Sequence, residues 1–171
     1  MNDLAPLANA VPLLVTITLG YSIEQDRIRL RGVDANGKTL TLWLTARLLN
    51  RLIPHLIKRQ AAITLSNTNP ELTGADALES IGKQSNEVQC APGSPELLVT
   101  SIDLSIHEGQ LLLLFKDAEE TCCVAFLMPP EVLQQWNAGL KQCFEQAGWS
   151  QSVFQPQTPS GAASHGAITI H

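Results

Sequence analysis

Two stretches of this chain open alike and then run in parallel. Leu13-Leu14-Val15-Thr16 returns as Leu97-Leu98-Val99-Thr100, and each opens three strand-like runs followed by one helix-like run. A period of 83 to 85 residues is too long for a solenoid unit, which repeats every 20–50 residues or so. The expectation is an α+β protein of two tandem βββα repeats, its strands mostly antiparallel and its helices packed on the sheet or sheets. The first repeat covers 12–60, a linker 61–96, the second repeat 97–149 and a flexible tail 150–171.

The first repeat carries the sharper local signals. Val15, Ile17 and Leu19 alternate with Thr16 and Thr18, and Ile28 and Leu30 alternate with Arg27, Arg29 and Arg31. Period two is the mark of a half-buried strand. Asp34-Ala35-Asn36-Gly37 then turns the chain. A two-residue Asn36-Gly37 turn would set Arg31 opposite Leu42, in the core row. A three-residue loop ending on a left-handed Gly37 instead sets Leu30 opposite Leu42, Ile28 opposite Leu44 and Arg29 opposite Trp43, so face consistency selects the second. Thr45 is a suitable N-cap for a helix whose stripe is Leu48, Leu49, Leu52, Ile53, Leu56 and Ile57, with a kink expected from Pro54.

The linker is rich in Ser, Asn, Pro and Gly, with a short helix expected over 74–82 and weak order over 84–95. In the second repeat, strands over 101–106, 110–116 and 121–128 precede a helix opened by Pro129-Pro130, striped by Leu133, Trp136, Leu140, Cys143, Phe144 and Ala147, and stopped by Gly148. On this alignment Trp43 and Phe126 are equivalent. Residues 167–170 could add to a sheet edge, but the composition around them favours a disordered end.

The repeats differ in chemistry. Residues 1–60 hold eight Lys or Arg against four Asp or Glu, a net +4, whereas 61–171 hold three against twelve, a net −9. Arg27, Arg29 and Arg31 stand about 6–7 Å apart along one face, near the phosphate spacing of an extended single strand, with Trp43 beside them for base stacking. In the second repeat, Leu111-Leu112-Leu113-Leu114-Phe115 and Cys122-Cys123-Val124-Ala125-Phe126-Leu127 do not alternate. Both faces of that hairpin should therefore be covered. One helix covers one face, which leaves Leu112, Leu114, Cys123 and Ala125 as an interface for a protein partner or a second copy.

Charged residues make up only 16% of the chain, below the usual quarter or so. No run approaches the roughly 18 apolar residues of a membrane span, and no basic n-region opens the chain, so the expectation is a cytoplasmic protein without a membrane partner. Cys90, Cys122, Cys123 and Cys143 form no C-x-x-C pair, and no His falls at ligand spacing from them. Neither a phosphate loop, a G-x-S-x-G elbow nor an H-E-x-x-H motif is present. Catalytic residues, metal ligands and cofactors are accordingly not assigned. The reading is a non-catalytic interaction or assembly module, with a homodimer as one form. The alternatives are a nucleic-acid-binding module using Arg27, Arg29, Arg31 and Trp43, and, more weakly, a thiol- or metal-dependent protein.

Overall fold

A computed structural model of the chain describes residues 11–66, 87–120, 123–155 and 167–171. The element order is β1 (Leu13–Ser22), β2 (Arg27–Asp34), β3 (Thr39–Leu44), α1 (Ala46–Ser66), β4 (Glu96–Leu98), β5 (Ser101–His107), β6 (Gln110–Lys116), β7 (Cys123–Met128), α2 (Pro130–Ala147), a 3₁₀ turn (Ser152–Phe154) and β8 (Ile168–Ile170). The protein is α+β, with one eight-stranded, mostly antiparallel sheet in the order β4-β3-β2-β1-β7-β6-β5-β8. The expected short helix over 74–82 lies outside the described residues. Among the described residues no helix is long and apolar enough to cross a membrane.

The β2–β3 hairpin has the register that face consistency selects: Ile28 faces Leu44, Arg29 faces Trp43 and Leu30 faces Leu42. Its loop closes by a hydrogen bond from Gly37 N–H to Asp34 O, 3.0 Å, with Gly37 at φ 78°. The Asp34 carboxylate also accepts from the N–H groups of Asn36 and Lys38, an Asx-type cap that spares the turn its own orphan donors.

Strands β4 and β5 sit at distant places in the sheet order but are separated in sequence only by Val99 and Thr100. Val99 N–H donates to Trp43 O on β3 (3.0 Å), and Thr100 N–H donates to Lys116 O on β6 (2.9 Å). One run of chain, 96–107, thus belongs to two ladders at distant places in the sheet order. A parallel seam joins β1 to β7, Leu13 to Ala125 and Leu14 to Phe126. Its counterpart is the parallel pairing of β3 with β4, Thr41 to Glu96 and Leu42 to Leu97. The hydrogen bonds correspond too: Ala125 N–H to Pro12 O (2.8 Å) and Thr41 N–H to Pro95 O (2.9 Å).

These ladders correct one sequence alignment. Phe126 pairs with Leu113 and points inward, as Leu42 does opposite Leu30, whereas Trp43 pairs with Arg29 and points outward. Phe126 and Trp43 therefore do not occupy equivalent places; a shift of one residue in a strand exchanges the faces.

Both helices add to the inner side. Leu48, Leu49, Leu52, Ile53 and Leu56 of α1, and Leu133, Trp136, Leu140, Cys143 and Phe144 of α2, join one apolar core with the inward residues of the strands. Trp136 stacks on Phe126 at 5.7 Å, and Gly139 lies against Leu19. The helices touch each other where Asn137 Nδ2 donates to Gln60 Oε1, 2.6 Å. Helix α1 runs uninterrupted through Pro54, and Gly148 ends α2 in the left-handed conformation with its N–H on Glu145 O.

Two segments read as weakly ordered from sequence are held by tertiary contacts. Residues 87–95 cross the outer face of β1–β3: Val88 is buried, its N–H donating to Thr18 Oγ1, and Ala91 N–H donates to Thr39 Oγ1. After Trp149 the chain is not all tail. Phe154 packs edge-on against Phe144 at 5.2 Å, and Ile168–Ile170 adds to the edge of β5 with Ile170 opposite Ile102.

Candidate functional site

The alternation of β2 divides its side chains cleanly. Ile28 and Leu30 are fully buried, so Arg27, Arg29 and Arg31 stand on the outer face. The structure then splits the arginine and tryptophan set. Arg31 Nη1 meets Glu87 Oε1 at 2.8 Å, and Trp43 Nε1 donates to Glu96 Oε2 at 2.9 Å. Both carboxylates come from the acidic part of the chain. A half-exposed ion pair of this kind contributes about 0–1 kcal/mol, so it orients Arg31 more than it stabilises the fold. Arg27 and Arg29 make no ion pair among the described residues, and Arg29 lies across the ladder from Trp43.

A second polar group sits on the outer face of β5 and β6. Lys116 Nζ is 2.6 Å from Asp103 Oδ2 and 3.9 Å from Glu120 Oε2. Burial would push the Asp103 carboxyl up, but the hydrogen bonds from Lys116 and Thr169 outweigh it and hold the carboxyl below its ordinary range. The same hydrogen bond raises the Lys116 ammonium. The Asp103 Oδ1 atom is buried and has no hydrogen-bond partner.

The four interface candidates lie together. Leu112 pairs with Leu127, Leu114 with Ala125 and Lys116 with Cys123, all on the outer face, while Leu111, Leu113 and Phe115 fill the core. Leu13 reaches Ala125 across the parallel seam and extends the strip. These outer side chains are half-buried.

The cysteines divide by environment. Cys143 is buried on α2, where desolvation pushes its thiol up to about 11. Cys90 is half-buried and donates to Leu40 O, and Cys123 is half-buried at the start of β7. Cys122 lies outside the described residues. Among the described residues no three His, Cys, Asp or Glu side chains gather as a metal site would require.

Sequence reasoning missed a cavity of about 640 Å³ beside the two-residue crossover, lined by Thr45, Arg47 and Leu48, by Leu98, Val99, Thr100 and Ser101, by Asp117, Ala118 and Glu120, and by His171. Four chain segments far apart in sequence build it, so no local signal pointed to it. Compared with family models, with curated proteins and with solved structures, the chain matched none.

Proposed function

We propose that this protein is a non-catalytic interaction and assembly module that docks a second copy of itself on the outer face of β6 and β7. The observation that carries this reading is the apolar strip of Leu112, Leu114, Ala125 and Leu127, which faces away from both helices. An ordinary strand pair alternates apolar in and polar out, and this pair is apolar on both sides. Covering three leucines would contribute roughly 1.5–3 kcal/mol each. The module is an old duplication of one βββα unit. That reading is supported by the matched parallel seams and by the Pro12 and Pro95 carbonyls that accept equivalent hydrogen bonds.

Sedimentation velocity tests the docking. The wild type sediments as a dimer at about 100 μM, a concentration that reveals dissociation constants weaker than micromolar, and the variant Leu112→Lys/Leu114→Lys sediments as a folded monomer. A monomeric wild type, or a double variant that still dimerises, sinks the proposal.

A second reading rests on Arg27 and Arg29, which carry no described counter-ion beside Trp43: a single-stranded nucleic acid laid across β2. Titration with a labelled oligonucleotide at two salt concentrations decides it. Binding must weaken as salt rises and fall with Arg29→Ala; affinity indifferent to both removes this surface from consideration.

A further inference from the structure

The edge of β5 carries β8, and β8 is a short occupant of a longer track. Three pairs join them: Ile102 with Ile170, Asp103 with Thr169 and Leu104 with Ile168. Ile170 is buried, Ile168 is half-buried against the core, and Thr169 is exposed. Arg51 of α1 donates to His171 O at 2.5 Å, a backbone contact indifferent to sequence. Past Ile170 the track opens into the cavity of about 640 Å³, which His171, Ser101 and Thr100 line. A strand longer than β8 has room to continue there. The β5 edge thus has the parts of a strand-addition groove, with main-chain pairing for affinity and alternate positions for aliphatic side chains.

What β8 does not supply is a donor at its middle position. Asp103 Oδ2 holds Lys116 Nζ at 2.6 Å, while Oδ1 is buried and has no hydrogen-bond partner. The carboxyl stands beside β8, since Thr169 and His171 both act on it to lower its pKa. A buried carboxylate oxygen without a donor is costly, because its desolvation goes uncompensated. The charges around it are also uneven. Asp103 and Glu120 set two carboxylates against the single ammonium of Lys116, a net −1. Thr169 brings one hydroxyl and no charge to this place.

We infer that the β5 edge is a docking groove for an extended segment of another protein with the pattern aliphatic–arginine–aliphatic, which takes the place of β8. Its two aliphatic side chains fill the Ile168 and Ile170 positions. Its guanidinium, opposite Asp103, donates to Oδ1 and brings the local charge to zero. Arginine suits the position because a charged N–H on a carboxylate makes a stronger bond than a hydroxyl does. A second copy's β8 is the poorer occupant: it carries the same threonine and leaves Oδ1 as it is. A tethered strand competes at an effective concentration on the order of millimolar. The partner strand displaces it through the added contact and by reaching into the cavity.

The probes are acetyl-Ala-Ile-Arg-Ile-His-Gly-amide and its threonine counterpart, each titrated into the full chain carrying Ile170→Ser, which loosens β8. Two-dimensional NMR follows the amides of Ile102, Asp103 and Leu104. The arginine peptide shifts them saturably and binds about ten- to a hundredfold more tightly than the threonine peptide, the contribution of one hydrogen bond to a charged group. In wild type, where β8 competes, the arginine peptide binds about tenfold or more weakly. Adding Asp103→Ala to the loosened chain removes the preference. A second variant needs no peptide and no altered core: Thr169→Arg in the otherwise unchanged chain slows hydrogen exchange of the β8 amides about tenfold. No shifts at the three β5 amides up to about 10 mM, where millimolar binding would saturate, overturns the inference. So does a preference for arginine that survives Asp103→Ala, or β8 exchange in Thr169→Arg that matches wild type. Equal affinity of the two peptides overturns it too, and makes exchange of β8 between copies the better account.

Discussion

Gly32 occupies an inward, buried place on β2, between the buried Leu30 and Asp34. The gap is filled from β1: a Cβ built at Gly32 would lie 2.7 and 2.8 Å from the two terminal methyls of Leu14. Leu14 is itself buried, so it has little room to retreat. Gly32→Ala should lose about 1–3 kcal/mol of stability in urea unfolding, the usual range for an overpacked core, and Leu14→Val in the same chain should restore part of it. Asp103 makes a different prediction. Its folded carboxyl is held below the ordinary range, so it contributes stability that is present above the unfolded pKa of about 4 and is lost as pH falls through the folded value. Asp103→Asn should flatten the acid limb of a stability-against-pH curve; an unchanged acid limb would show that the Lys116 contact carries no linkage. Cys143, its thiol pushed up to about 11, should stay unmodified by an aromatic disulfide reagent in native protein at pH 7, because the thiolate is the reactive form. Mass spectrometry of the labelled chain locates the reacted sulfurs.

Elements set by short-range chemistry were legible from the chain alone. The β2–β3 register follows from which loop keeps arginine out of the core, and the α2 boundaries follow from Pro130 and Gly148, all within a few residues of the feature they fix. Elements set by distant partners were not. Residues 87–95 have no period, and their order comes from the hydroxyls of Thr18 and Thr39, about 50 to 70 positions away. Strand β8 has only three residues, and its place depends on Ile102 and Leu104 presenting an edge. The candidate surfaces divide in the same way: the outward arginines and outward leucines were readable from alternation, whereas Glu87 and Glu96 as partners of Arg31 and Trp43 were not. Strand β8 can be tested as an element. Ile170 is buried, so Ile170→Ala should lose about 2–4 kcal/mol, while Thr169→Ala, at an exposed position, should lose under about 1 kcal/mol. Equal effects would mean that β8 does not dock by its inward face.

At the scale of the molecule, the halves share one core and two seams, β1 with β7 and β3 with β4. Neither half keeps its edge strands paired without the other. Thermal unfolding followed by tryptophan fluorescence and by far-ultraviolet circular dichroism should therefore give one coincident transition, the signature of a two-state domain. Trp43 reports the first half and Trp136 and Trp149 the second, so two separated transitions would assign each half its own stability. The seams also govern how the chain leaves the ribosome. Pairing of Leu13 with Ala125 spans 112 positions, and closing such a loop costs about 4 kcal/mol in chain entropy. Until residues 96–98 emerge, β3 has a bare edge, and until 123–128 emerge, so does one edge of β1. Bare edges invite pairing with other chains. A nascent polypeptide of this sequence stays vulnerable until roughly its last quarter has been translated, and its yield in a cell should depend on elongation speed and chaperone supply more than on the finished protein's stability.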